Sequence, residues 1–206
     1  MAFVRGKFVG FQNIRRIACI HGRFQPFHLG HAEYLQACLR GWDDVVVGIA
    51  AATPVSDVYP GVEHRVLPTA NPLNYLERII LVRRCCDDLG IDSARIEFAP
   101  FPIDTPSLIQ HSIPKEVTCV TTRLYDWNDE KIRRLRNEGY DVSVIPDSRH
   151  MGFDGRTIRR LIKQGDDRWK DMVSPSVAEC IERWGLRERI LKLEAEQHAQ
   201  GIEGLD

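Results

Sequence analysis

Apolar residues fall along this chain in short runs separated by longer amphipathic stretches. Runs at 17–20 (Ile17-Ala18-Cys19-Ile20), 44–51 (Asp44 to Ala51), 95–98, 117–121 and 141–145 predict five strands. Helical spacing between them predicts helices over 30–40, 74–89, 128–138, 155–164, 175–184 and 186–198. Ala32, Leu35 and Leu39 mark the core face of the first helix. Leu186, Ile190 and Leu193 form one stripe on the last, which docks either on the body of the domain or on another subunit. Strands this apolar, alternating with helices, predict an α/β fold: a doubly wound parallel sheet with helices on both faces and right-handed crossovers. The boundaries expected are an N-terminal arm at 1–16, one domain at 17–170 and a small C-terminal helical extension at 171–206.

The longest stretch without periodicity is 52–73, which carries Pro54, Pro60, Gly61, Pro68 and Pro72. A segment this long in one domain is either a lid over a pocket or a solvated excursion. The chain has 206 residues, 43% of them hydrophobic, enough for a proper core. A net charge of −1 argues against a general nucleic-acid surface. No run approaches the roughly eighteen apolar residues of a membrane span. The basic start MAFVRGKFVGFQNIRR lacks a continuous apolar segment and does not read as a signal peptide. The six cysteines form no C-x-x-C pair, which fits reduced thiols in a cytoplasmic protein.

Chemistry concentrates where the first strand meets the first helix, in Gly22-Arg23-Phe24-Gln25-Pro26-Phe27-His28-Leu29-Gly30-His31. The carboxyl end of a parallel strand is where open α/β sheets bind nucleotides, and the following helix offers free N–H groups and a favourable dipole to phosphate. His28 and His31, three apart, share one face and can meet one anion. Gly30 leaves room for close approach, Pro26 stiffens the turn, and Arg23 adds a permanent planar charge.

This string resembles the signature of the HxGH nucleotidylyltransferases, most closely the archaeal-type nicotinamide mononucleotide (NMN) adenylyltransferases. The resemblance implies strand order 3-2-1-4-5, with the site beside strands 1 and 4. It places Gly22, Phe24, Gln25 and Gly30 at the nucleotide. Asn71-Pro72 to Ile79 resembles a second family segment, implying Arg78 and Asn71 near the acceptor phosphate. Phe153-Asp154-Gly155-Arg156-Thr157-Ile158-Arg159 stands where the family has an I-S-G/S-T-x-I-R segment that cradles the triphosphate, and Gly165 ends its helix at the expected place. Gly155, Ile158 and Arg159 match, Thr157 sits between them, and Asp154 and Arg156 replace a serine and a threonine. Asp154 can cap the helix, but its charge repels a triphosphate unless a cation or Arg156 compensates. Asp104 follows the third strand in a stretch similar to the family's acceptor border. Thr122, Arg123 and Trp127 follow the fourth strand, where Arg123 could meet an acceptor phosphate and Trp127 could stack on a heterocycle.

These residues predict nucleotidyl transfer assisted by Mg²⁺ travelling with the triphosphate, with no metal ligands from protein side chains. His28, His31, Arg159 and Arg23 are the expected charge-stabilising set. ATP and NMN, giving NAD and pyrophosphate, are the first expected pair. CTP, or another phosphorylated or phosphonate acceptor, is the alternative. A nucleotide-binding regulatory module without catalysis is the alternative of another class. No nucleic-acid or membrane partner is expected, and a homo-oligomer is left open.

Overall fold

The five apolar runs form one parallel sheet in the order β3-β2-β1-β4-β5. The computed structural model describes residues 15–50, 67–122, 127–146 and 153–200. Most of the expected arm and most of the 52–73 loop lie outside these, as do Arg123 and the side chain of Trp127. The strands are β1 (Ile17–Gly22), β2 (Asp44–Ile49), β3 (Ile96–Pro100), β4 (Thr118–Thr121) and β5 (Val142–Val144). The helices are α1 (Leu29–Gly41), α2 (Tyr75–Asp88), α3 (Trp127–Asn137), α4 (Gly155–Gln164), α5 (Pro175–Arg183) and α6 (Leu186–Ala199). Each falls where periodicity puts it, to within two residues. Short 3-10 turns such as Pro68–Ala70 and Pro106–His111 were not legible, because so few residues carry no pattern.

Alternation along the strands sorts their side chains between two cores. Ala18, Ile20, Val45, Val47 and Ile49 pack with α1, α2, α4, α5 and α6 on one face. Cys19, Val46, Ala99 and Cys119 pack with Phe101, Ile109 and Leu135 of α3 on the other. Both faces are covered, which is why these strands are almost uniformly apolar. Each fully buried Leu or Ile contributes roughly 1.5–3 kcal/mol of transfer free energy.

The C-terminal helices share the first core rather than hanging from it. Val177, Ile181, Leu186 and Ile190 are buried there with Leu81 and Ile158. Polar ties reinforce the docking: Arg189 of α6 donates to the Pro72 carbonyl at 3.0 Å and pairs with Glu77 at 2.8 Å. Gln197 accepts from the Thr69 amide at 3.1 Å. The end of the irregular segment, 67–73, is thus held to the body, with Ala70 and Leu73 buried, while the rest of the lid-or-excursion stretch lies outside the described residues.

Sequence order reverses beside β1, with β2 and β3 on one side and β4 and β5 on the other. The β1–β4 ladder pairs Ala18 with Thr118 and Cys19 with Cys119. Beyond it the Tyr34 hydroxyl of α1 donates to the Val120 carbonyl, tying α1 to β4. The carboxyl ends of β1 and β4 therefore form a topological switch point, the usual ligand position in open α/β sheets. No helix among the described residues is long and apolar enough to cross a membrane.

Candidate active site

His28 and His31 cap α1 with each other. His28, in extended backbone, is the N-cap, and its Nδ1 accepts from the His31 amide at 3.3 Å. The His31 Nδ1 accepts from the His28 amide at 3.4 Å. This is a capping box built from two imidazoles, and it stacks the rings with centroids 3.6 Å apart. With each Nδ1 accepting, the neutral ring carries its proton on Nε2. Both histidines then offer an Nε2–H donor, and neither Nε2 is paired among the described residues. Burial lowers the His28 pKa to about 4 against the opposing pull of Asp154. Burial and the neighbouring His28 push His31 well below its usual value. The pair is neutral at physiological pH.

The loop before α1 is shaped by residues that face inward. Phe24 is buried at a φ of 52°, a left-handed conformation uncommon for a bulky residue. Its ring covers Gly22, where a Cβ would lie 3.0 Å from the ring, and meets His31 edge-on at 4.9 Å. Gln25 is also buried and clamps the Leu73 backbone, donating at 2.8 Å and accepting at 3.0 Å. Its side-chain amide is thus engaged at both ends by the fold. Arg23 is half-buried in the same loop, and Gly30 lies in the first turn of α1.

The start of α4 lies directly against this loop. A Cβ on Gly155 would stand 2.6 Å from the Gln25 carbonyl oxygen, so only glycine permits the approach. Arg159, one turn on, donates Nη1 to that same carbonyl at 2.6 Å. Burial lowers the Arg159 pKa to about 10, leaving it charged near neutrality. Asp154 caps α4, accepting from the Arg156 amide at 2.8 Å and from the Thr157 amide at 3.0 Å, and from the Thr157 hydroxyl at 2.8 Å. Burial raises the Asp154 carboxyl, but these bonds outweigh it and hold the group below the usual carboxylate range. Asp154 thus occupies those two amides in this structure. The Ile158 side chain is fully buried in the core. Arg156 is exposed on the first turn.

On the acceptor side the structure separates what the sequence grouped. Arg78 is buried, and its guanidinium donates to the carbonyls of Asn74 (3.2 Å), Arg23 (3.0 Å) and Ala50 (2.7 Å). It ties three backbone segments together. Asn71 donates to the Leu67 carbonyl at 3.1 Å within the docked segment. Asp104 sits half-buried in a turn after β3, and Thr122 half-buried just past β4. Trp127 opens α3.

One residue that sequence reasoning passed over is His21, at the carboxyl end of β1. It is 7% exposed and stacks on Phe101 with centroids 4.3 Å apart. Neither ring nitrogen forms a hydrogen bond of good geometry, although the Cys19 carbonyl lies close by. Burial, then the charge of Lys131, push its pKa well below normal, and the Cys19 carbonyl offsets this only in part. The signal available was a histidine closing an otherwise apolar strand beside the motif.

Among the described residues no group of three or more His, Cys, Asp or Glu could hold a metal.

The Cytidylyltransferase-like family matches residues 19–160, which span the sheet and both helix starts described above. The chain is 33% identical over 180 residues to a phosphonoformate cytidylyltransferase of Streptomyces viridochromogenes, covering 87% of this chain and 97% of the relative. It is 29% identical over 181 residues to a nicotinamide-nucleotide adenylyltransferase of Ignicoccus hospitalis, covering 85% and 96%. A bifunctional NMN adenylyltransferase/ADP ribose pyrophosphatase of Francisella tularensis shares the fold with a TM-score of 0.65 at 18% identity, over 90% of this chain and 54% of that one.

Proposed function

Because the chain belongs to the cytidylyltransferase-like family and is a nucleotidyltransferase, we propose that it moves a nucleotidyl group from CTP to a small phosphonate or phosphate acid, releasing pyrophosphate. The observation that carries the transfer chemistry is the reciprocal His28–His31 cap with both Nε2–H groups open at the start of α1. What favours CTP and a phosphonate is the likeness to the phosphonoformate enzyme, together with Asp154 and Arg156 in place of the serine and threonine of the adenylyltransferase pattern. The likeness to nicotinamide-nucleotide adenylyltransferases supports ATP and NMN as the second reading.

In the reaction an oxygen of the acceptor's phosphorus group attacks the α-phosphorus of the triphosphate in line. The bond from that phosphorus to the bridging oxygen breaks, and pyrophosphate leaves with the electron pair. The acceptor is already ionised at neutral pH, so no general base is needed. His28 and His31 donate Nε2–H to phosphate oxygens as charge shifts toward the leaving group, a preorganised stabilisation that requires no reorientation. Arg159, fixed by the Gln25 carbonyl, offers its remaining N–H groups to the β- and γ-phosphates. Arg156 and Arg23 add charge nearby, offsetting the Asp154 carboxylate. Mg²⁺ bound to the triphosphate would supply further charge neutralisation. A cytoplasmic setting accords with six free thiols, five of them buried.

The test is pyrophosphate release by purified protein with Mg²⁺, crossing CTP and ATP with phosphonoformate, NMN and nicotinate mononucleotide. Turnover with CTP and the phosphonate supports the first reading, and turnover confined to ATP and NMN replaces it with the second. Tight nucleotide binding without pyrophosphate from any pair makes the protein a binding module.

A further inference from the structure

His21 lies in the switch-point crevice, on the face of the sheet opposite α1. Carrying the β1–β4 register two residues past Cys19–Cys119 sets it opposite Thr121, which is buried at the end of β4. Its ring follows Cys19 on the pleat and joins the second core through Phe101. α3 covers that face. Asn128, Lys131 and Leu135 recur at helical spacing along one stripe, all buried, with Leu135 packed in the core beneath. A crossover helix runs back against its strands, so Asn128 and Lys131, in the early turns of α3, sit at the level of the strands' carboxyl ends. The electrostatic influence of Lys131 on His21 agrees with that placement.

Two buried polar groups here are unsatisfied: both ring nitrogens of His21 and the Asn128 Oδ1. An unsatisfied buried polar group costs about 1–3 kcal/mol, so it calls for a ligand or a functional reason. The groups include an imidazole donor, an ammonium and an amide that can present either end by rotation. Their shared complement is a small anion.

We propose that His21, with Asn128 and Lys131, forms an acceptor subsite that binds a carboxylate carried beside the acceptor's phosphorus group. This rests on the transfer reading above and names its acceptor class: compact acids bearing both a phosphorus oxyanion and a carboxylate. In this arrangement the carboxylate meets His21, Asn128 and Lys131 while the phosphorus group stays with the transfer site. The subsite selects among acceptors and takes no part in bond breaking, so its removal acts on acceptor KM far more than on kcat.

The experiment compares the full-length protein with His21→Phe and Lys131→Met, using CTP and ATP with phosphonoformate and with methylphosphonate, which lacks the carboxylate. His21→Phe keeps a flat ring against Phe101 and removes both unsatisfied nitrogens, so its melting temperature should hold or rise. Wild type should prefer phosphonoformate. In His21→Phe its KM should rise by about 10- to 100-fold, as expected for losing a hydrogen bond to a charged group. KM for the triphosphate and for methylphosphonate should stay put, collapsing the preference. Lys131→Met should do the same. A folded His21→Phe that keeps the wild-type preference overturns the subsite. So does a wild type that turns over without preferring the carboxylated acceptor, while leaving the transfer reading intact. Absence of turnover by wild type with every pair, NMN included, overturns the transfer reading and the subsite with it.

Discussion

Gly155→Ala tests the contact on which the site's assembly depends. The new methyl would lie 2.6 Å from the Gln25 carbonyl oxygen, 3.2 Å from its carbon and 3.1 Å from Arg159 Nη1. The Gln25 backbone has little freedom to yield, because its side chain is bonded at both ends to Leu73. α4 must therefore withdraw by about 0.8 Å to restore an ordinary contact of 3.4 Å. That strains packing by about 1–3 kcal/mol. It also stretches the Arg159–Gln25 bond, worth about 1.5–3 kcal/mol. Against this, replacing glycine stabilises by about 0.4–1 kcal/mol through the unfolded chain. The net expectation is a loss of about 2–5 kcal/mol, which lowers the melting temperature of a chain this size by at least about 4 °C. Arg159 moves with the helix, so pyrophosphate release should fall by roughly 10²-fold. Gly41→Ala is the control, since nothing lies within 4 Å of a Cβ there. The reasoning is refuted if Gly155→Ala melts at or above wild type and turns over normally.

His31→Ala removes one Nε2–H donor and the cap it shares with His28, and should lower turnover by roughly 10²- to 10³-fold. Wild-type turnover would take the histidine out of the chemistry. His28, held at about 4 by burial, stays neutral while the unfolded chain takes up a proton near its ordinary value of about 6.5. Its contribution is therefore full above that value and declines as pH falls from about 6.5 toward 4, and NMR of the ligand-free protein should show no His28 transition near 6.5. Asp154→Ser keeps a cap and removes the charge facing the triphosphate, so KM for the triphosphate should drop by about 2- to 5-fold. An unchanged KM would mean the triphosphate does not reach α4. Arg78→Met leaves three carbonyls without their donor and should cost about 3 kcal/mol or more, read from urea unfolding. Unaltered stability with only a raised acceptor KM would restore the direct phosphate role.

Local pattern was enough for whatever depends on neighbours in sequence. Every strand and long helix followed from apolar spacing, because a side chain's direction repeats with the period of its element. The α1 start was legible for the same reason: two histidines three apart at a strand–helix junction must share a face. The family likeness, carried by the strings around His28 and Arg159, supplied the strand order that spacing could not. Tertiary structure decided what each polar side chain is for. Arg78 and Gln25 look like ligand contacts in sequence, yet Gln25 binds the backbone of Leu73, 48 residues away, and Arg78 reaches the carbonyl of Arg23, 55 away. The amides at the head of α4 look open to phosphate until Asp154 takes them. His21 looks like one more strand residue until β4, Phe101 and α3 close around it. The physical reason is common to all of them. Backbone periodicity sets where a side chain points, but its partners, and the cost of leaving it without one, come from chain segments brought together only by the fold.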